Sequence, residues 1–220
     1  MRFSPLFFLG FLLLAIFLLA FIQVGIVSLA VDKLGLSTGA VVLLLFGSLL
    51  GSGINLPLFR MRAEAPPSPP NHPFYRMGLL RPRQPFHGVT LVAVNLGGGV
   101  IPVAFAVYLW THTPVTPGQG MAALALVAAI SYFASRPVPG VGVGMPLLLG
   151  PVTAAVVALL IDAGHSAPLA YIGGTLGVLV GADLLRLGDI RKMGSPVASI
   201  GGAGTFDGIY ITGIVAVLLA

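Results

Sequence analysis

The stretch GGAGTFDGIYITGI, residues 201–214, decides how this chain is read, because it sets one acidic residue, Asp207, at the start of a long apolar run. A helix beginning at Pro196 would bury Asp207 roughly 16 Å deep at 1.5 Å per residue. Gly201, Gly202 and Gly204 are poor helix formers and predict irregular backbone until about Ala203. From there to Leu219 a helix is roughly 26 Å long, close to a bilayer span, and Asp207 lies about one turn inside it. Working back along the chain, Asp183 lies three residues before Arg186, about 5 Å below the interface by the same rise. The 24-residue spacing between the aspartates crosses a loop and returns the second acid beside the first, at equal depth.

Composition fits a lipid setting. Of 220 residues, 57% are hydrophobic and only 8% charged, too few charges to cover a soluble domain of this size. The formal charge of +5 is not gathered on one soluble face, which argues against nucleic acid as a partner. The chain has no cysteine, which excludes disulfides, thiolate nucleophiles and cysteine metal sites. Pro5 to Val31 is about twice as long as a signal-peptide core and reads as a retained first helix.

A hydrocarbon core about 30 Å thick needs roughly 20 helical residues. By that measure we expect an all-α integral membrane protein with seven transmembrane helices, near 5–30, 38–58, 88–110, 119–135, 145–161, 167–186 and 203–219. The fifth is short and carries Pro146 and Pro151, so a distorted or partial crossing is expected there. With the N-terminus inside, Arg2, Arg60, Arg62, Arg76, Arg81, Arg83, Arg136, Arg186, Arg191 and Lys192 fall on the cytoplasmic side and only Lys33 outside. This asymmetry follows the positive-inside rule and puts the C-terminus outside. The expected setting is the cytoplasmic membrane of a prokaryote, as one polytopic domain over 1–220. Within it, 59–87 forms a Pro/Arg-rich cytoplasmic loop whose arginines face anionic headgroups.

GSGINLP (51–57), NLGGGVIP (95–102) and GVGVGMP (140–146) each place Gly ahead of Pro. Glycine permits close helix approach, and proline frees a carbonyl that must find another donor. Broken helices of this kind line cavities or ion sites, with Asn55 and Asn95 as polar membrane residues. The plainer reading of each Asn is an interhelical hydrogen bond.

The six acids sort by position. Asp32 and Glu64 lie in solvated segments, and Asp162 with His165 forms a surface pair or a helix end. No HExxH, Walker loop or histidine cluster occurs, so neither metal nor cofactor is expected. Asp183 and Asp207 remain. Two facing carboxylates can hydrolyse a peptide bond: one takes a proton from water while its protonated partner donates to the carbonyl oxygen. Low dielectric and mutual repulsion make such a pair share one proton. The competing structural reading pairs Asp183 with Arg186 and lets Asp207 cap its glycine-rich approach.

DGIYITGIVAVLL (207–219) resembles the helix after the catalytic aspartate in presenilins and signal peptide peptidases, the GxGD intramembrane aspartyl proteases. The resemblance implies a presenilin-like bundle, Asp183 and Asp207 as the catalytic pair, Gly204 near the motif glycine, and membrane-embedded peptides as substrates. Ala182 replaces the family's first-motif tyrosine, and GTFD replaces the tight GxGD. The Pro-Ala-Leu motif has no counterpart unless Pro146 of GMP substitutes. LGDIRK (187–192) is similar to the prepilin-peptidase pattern and makes Asp189 a rival. Across the whole chain, GSGINLP, GGGVIP, GADLL and GTFDGI resemble an uncharacterised prokaryotic membrane family, the domain of unknown function numbered sixteen-fourteen. The competing functional classes are a proton-coupled carrier using Asn55, Asn95 and the two aspartates, and a structural or assembly protein.

Overall fold

A computed structural model of the chain describes residues 25, 28–29, 32–35, 37–64, 88–138, 142–192, 194, 196–202 and 208–220. The first expected helix, 5–30, falls almost wholly outside these residues, as do Asp207, Gly204 and most of the 59–87 loop. The described elements are α1 (Thr38–Gly51), β1 (Asn55–Arg62), β2 (Val89–Asn95), α2 (Ile101–His112), α3 (Pro117–Ala134), β3 (Arg136–Val138), β4 (Gly142–Gly144), α4 (Leu149–Ile161), α5 (Ser166–Val178), β5 (Val197–Ile200) and α6 (Gly208–Leu219). Four short segments join them: the π-helical Leu96–Val100 ahead of α2 and Leu179–Leu184 after α5, the 3-10 turn Ala163–His165 ahead of α5, and a single helical turn at Leu187–Ile190.

The helices are mostly where apolar runs put them. Helix α3 starts on a Thr116 capping box with Gln119 and with Pro117 in its first turn, where a missing N–H costs nothing. Together with Ala163–Leu184 it is one of two described helices long and apolar enough to cross a membrane. Helix α4 has 13 residues, roughly 20 Å, short of a full span as its prolines predicted. Pro151 lies in its first turn, so it shortens the helix rather than kinking it.

The strictly all-α expectation is corrected. The run 38–58 is helical only to Gly51 and continues as β1, while 88–110 begins as β2. Strand β1 pairs antiparallel with β2, and β2 pairs parallel with β5, in the order β1-β2-β5. Strand β4, within the third glycine motif, pairs antiparallel with β3 in a separate two-stranded sheet. The physical reason lies in local preference: Thr90, Val92 and Val94 are β-branched and alternate with partly exposed Leu91 and the smaller Ala93. Pro57 is tolerated because β1 is an edge strand, and the ladder shifts register beside it. The last helix is described from Gly208 to Leu219, and its expected start near 203 lies outside the described residues.

The centre of the molecule is α5, whose residues are all buried. Gly173, Gly177 and Gly181 recur every fourth residue and form a ridge without side chains against α3. A Cβ at Gly173 would come 2.8 Å from the Ala123 Cβ, one at Gly177 2.6 Å from Val127, and one at Gly181 would overlap the Ala128 backbone. This small-residue packing lets two helices approach to backbone contact. On the opposite side α5 meets α6 antiparallel: Gly174 faces Thr212 and Ala216, and Gly213 faces Thr175 and Tyr171.

Candidate functional site

Asp183 is half-buried in the π-helical segment 179–184. Its π character is visible in the Leu185 N–H, which donates to the Val180 carbonyl five residues back at 2.9 Å. The widened turn coincides with Gly181, which lies against the Ala128 carbonyl, so α5 loosens its winding where its glycine ridge ends. Such insertions re-aim the side chains that follow and recur at functional sites.

One turn on, Arg186 closes the C-terminal end of α3. It donates to the Tyr132 carbonyl at 2.7 Å, the Ser135 carbonyl at 3.0 Å and Ser135 Oγ at 3.3 Å. Its guanidinium carbon stands 4.2 Å from the Tyr132 ring centre. The acid it pairs with is Asp189, at 3.0 Å. A cation against the last carbonyls of a helix is favourable through the aligned peptide dipoles. Asp189, the rival acid expected from LGDIRK, is thus engaged with Arg186.

Asn55 and Asn95 sit at strand–helix joints instead of within transmembrane helices. Buried Asn95 donates to the Ser52 carbonyl at 2.8 Å and to Asn55 Oδ1 at 3.1 Å, and accepts from the Gly98 N–H at 2.8 Å. Both its amide hydrogens and its oxygen are engaged, the arrangement of a structural pin. Ser199 Oγ donates to the same Asn55 Oδ1 at 2.5 Å. The glycine joints of three segments stack here: a Cβ on Gly51 would stand 2.9 Å from Gly97 N, and one on Gly201 would stand 2.6 Å from Gly99 N. Gly201 has φ +71°, a conformation open to glycine at little cost, and Gly202 abuts Ser199 and Asn55. Of the site-shaping residues expected from sequence, Gly201 and Gly202 thus form this node. Pro146 is exposed in the turn before α4, where its carbonyl accepts from the Leu149 N–H at 3.0 Å.

The opposite end of the bundle is fastened separately. Asp162 accepts from His165 Nδ1 at 3.0 Å, Gln119 Nε2 at 3.1 Å and the Gly164 N–H at 3.0 Å. The His165 hydrogen bond, with backbone donors behind it, holds the Asp162 carboxyl below its ordinary range. This is the helix-end role expected from IDAGHSAP. Lys33 donates to the Leu218 carbonyl at 3.2 Å, and Ser166 Oγ to the Ala220 carbonyl at 3.1 Å. Among the described residues no three His, Cys, Asp or Glu residues group as metal ligands.

Sequence reasoning missed Arg186 as the clasp on α3, Ser199 as the link to Asn55, and the sheet that joins the glycine motifs. The repeated Gly-rich breaks next to polar residues were the available signal.

No curated protein and no solved structure matches the chain. A family described only as a protein of unknown function, DUF1614, matches residues 49–219, most of the length and all of the elements just described from Gly51 onward. The chain belongs to the DUF1614 family.

Proposed function

We propose that this is an integral membrane protein that hydrolyses peptide bonds within the bilayer, with Asp183 and Asp207 as its catalytic acids. Support for a lipid setting comes from the outward helix faces. Leu50 is 75% exposed, Phe133 80% and Leu160 82%, on three different helices, alongside Leu43 and Ile130. Water would penalise apolar surface of this extent, whereas hydrocarbon covers it without cost. The glycine ridge of α5 has the packing used where no hydrophobic force drives helices together.

The observation that carries the catalytic reading is one of depth. Ser166 meets Ala220, and Gly174 meets Thr212, so α5 and α6 run antiparallel in a set register. Continued to the first residue of α6, that register brings Gly208 level with the start of the 179–184 segment, about one helical turn from Asp183. Asp207 precedes Gly208 in sequence, which supports two acids within about one helical turn of each other in depth. In such a pair the ionised carboxylate takes a proton from water, whose oxygen attacks the carbonyl carbon. The protonated carboxyl donates to the carbonyl oxygen, and the departing nitrogen takes a proton as the C–N bond breaks.

The carrier reading takes Asn55, Asn95 and the two aspartates as a polar path, and the full engagement of Asn95 lessens the support for that residue's part in it. The test is cleavage of a fluorogenic transmembrane peptide by the protein in proteoliposomes. Asp183→Asn and Asp207→Asn should each lower turnover by at least about a hundredfold. Unchanged cleavage in both variants overturns the proposal, and Asp207-dependent ion flux without cleavage replaces it with the carrier.

A further inference from the structure

We infer that the outward face of the three-stranded sheet is a docking surface for anionic lipid headgroups. The strand register sorts side chains between two faces. Thr90, Val92 and Ile200 lie on the buried face. On the other face Arg60 stands across from Leu91, which stands across from Val197, while Arg62 stands across from Val89. Arg60, Arg62, Val89 and Val197 are exposed, so cations and apolar side chains share one surface.

Two further cations border it. The Glu64 N–H donates to the Arg191 carbonyl at 2.8 Å and ties the Arg191–Lys192 turn to the end of β1. Glu64 is the carboxylate beside this group. Among the described residues none of these four cations forms an ion pair.

The occupant follows from continuity. Exposed Leu49 and Leu50 at the end of α1 lead through Ile54 into exposed Leu56 and Leu58 of β1, and only then reach Arg60 and Arg62. Leu56 stands across from Val94 and so lies on the other face from Arg60, but along the strand the exposed side chains change from apolar to cationic, as the surroundings change from hydrocarbon to phosphate at a leaflet. An acidic soluble protein would not need the apolar lead-in. The inference rests on the membrane setting proposed above and is independent of the aspartates.

The absence of cysteine makes the test clean. Val197→Cys carries a fluorophore in proteoliposomes containing a lipid with a nitroxide on its headgroup. Quenching should be about threefold stronger in phosphatidylglycerol than in phosphatidylcholine, and should fall at high salt. Replacing both arginines with Gln (R60Q/R62Q) should abolish the difference, and R60K/R62K should keep it, because a phosphate surface needs positive charge more than a fork. Equal quenching in the two lipids, or an unchanged difference in a folded R60Q/R62Q protein, overturns the inference. A chain that stays with vesicles after an alkaline wash but shows no quenching defeats the docking surface alone. Failure to remain with vesicles defeats the membrane setting too.

Discussion

Ser199 donates its hydroxyl to Asn55 Oδ1 across 2.5 Å, joining strands β5 and β1, which lie on opposite sides of β2 and do not pair with each other. Asn95, at the end of β2, donates to the same oxygen, so all three strands are pinned where they meet the helices. Asn95→Ala leaves the Ser52 carbonyl and Gly98 N–H without their partner in a buried place, at a cost of about 1–3 kcal/mol. Ser199→Ala removes one donor from an oxygen that keeps another, and should cost less. Thermal unfolding of the purified proteins should rank wild type above Ser199→Ala above Asn95→Ala.

The glycine ridge makes a position-specific prediction. Gly181→Ala puts a methyl group into the Ala128 backbone and should destabilise by about 1–3 kcal/mol. Gly188→Ala meets nothing within 4 Å and should be neutral or slightly stabilising. Unfolding midpoints of the two variants, measured side by side, check the contrast.

How much of this was legible depends on whether an element stands alone in its apolar run. Helix α3 did: Thr116, Pro117 and Gln119 mark its start, and the expected range differs by two residues at most. The runs 38–58 and 88–110 did not, because a hydropathy ruler of about 20 residues sums a helix of 14 or 12 residues and an apolar strand into one span. Only the breakers, GSG at 51–53 and LGGG at 96–99, and the alternating Val and Thr of β2 marked the change. The Asp162–His165 pair was readable because it is local. The choice Arg186 makes was not: Asp183 and Asp189 each lie three residues away, and its other partners, Tyr132 and Ser135, come from a distant helix.

That choice gives a third prediction. Arg186 uses a planar fork to reach two carbonyls, a hydroxyl and Asp189 while stacking on Tyr132. Lysine offers a point charge that cannot span those acceptors. Arg186→Lys should lower the unfolding midpoint, and Arg186→Met should lower it further, losing about 1–3 kcal/mol of stability relative to wild type. A lysine variant as stable as wild type would show that charge alone closes α3.

The last prediction concerns acid. The His165 side chain, then the backbone N–H groups of Gly164 and His165, favour the ionised form of Asp162 and lower its pKa in the folded chain. A carboxyl whose folded pKa is depressed binds fewer protons than in the unfolded chain, so its contribution to stability is complete above the ordinary carboxylate range. As pH falls through that range and on through the lower folded value, the unfolded state takes up a proton first and the contribution is lost. Asp162→Asn, which keeps an acceptor oxygen but no charge, should therefore be less stable than wild type at neutral pH. The gap between their unfolding midpoints should stay level from neutral down to the ordinary carboxylate range and close below it. A gap unchanged into strong acid would mean that the Asp162 charge adds nothing to the fastening of α3, α4 and α5.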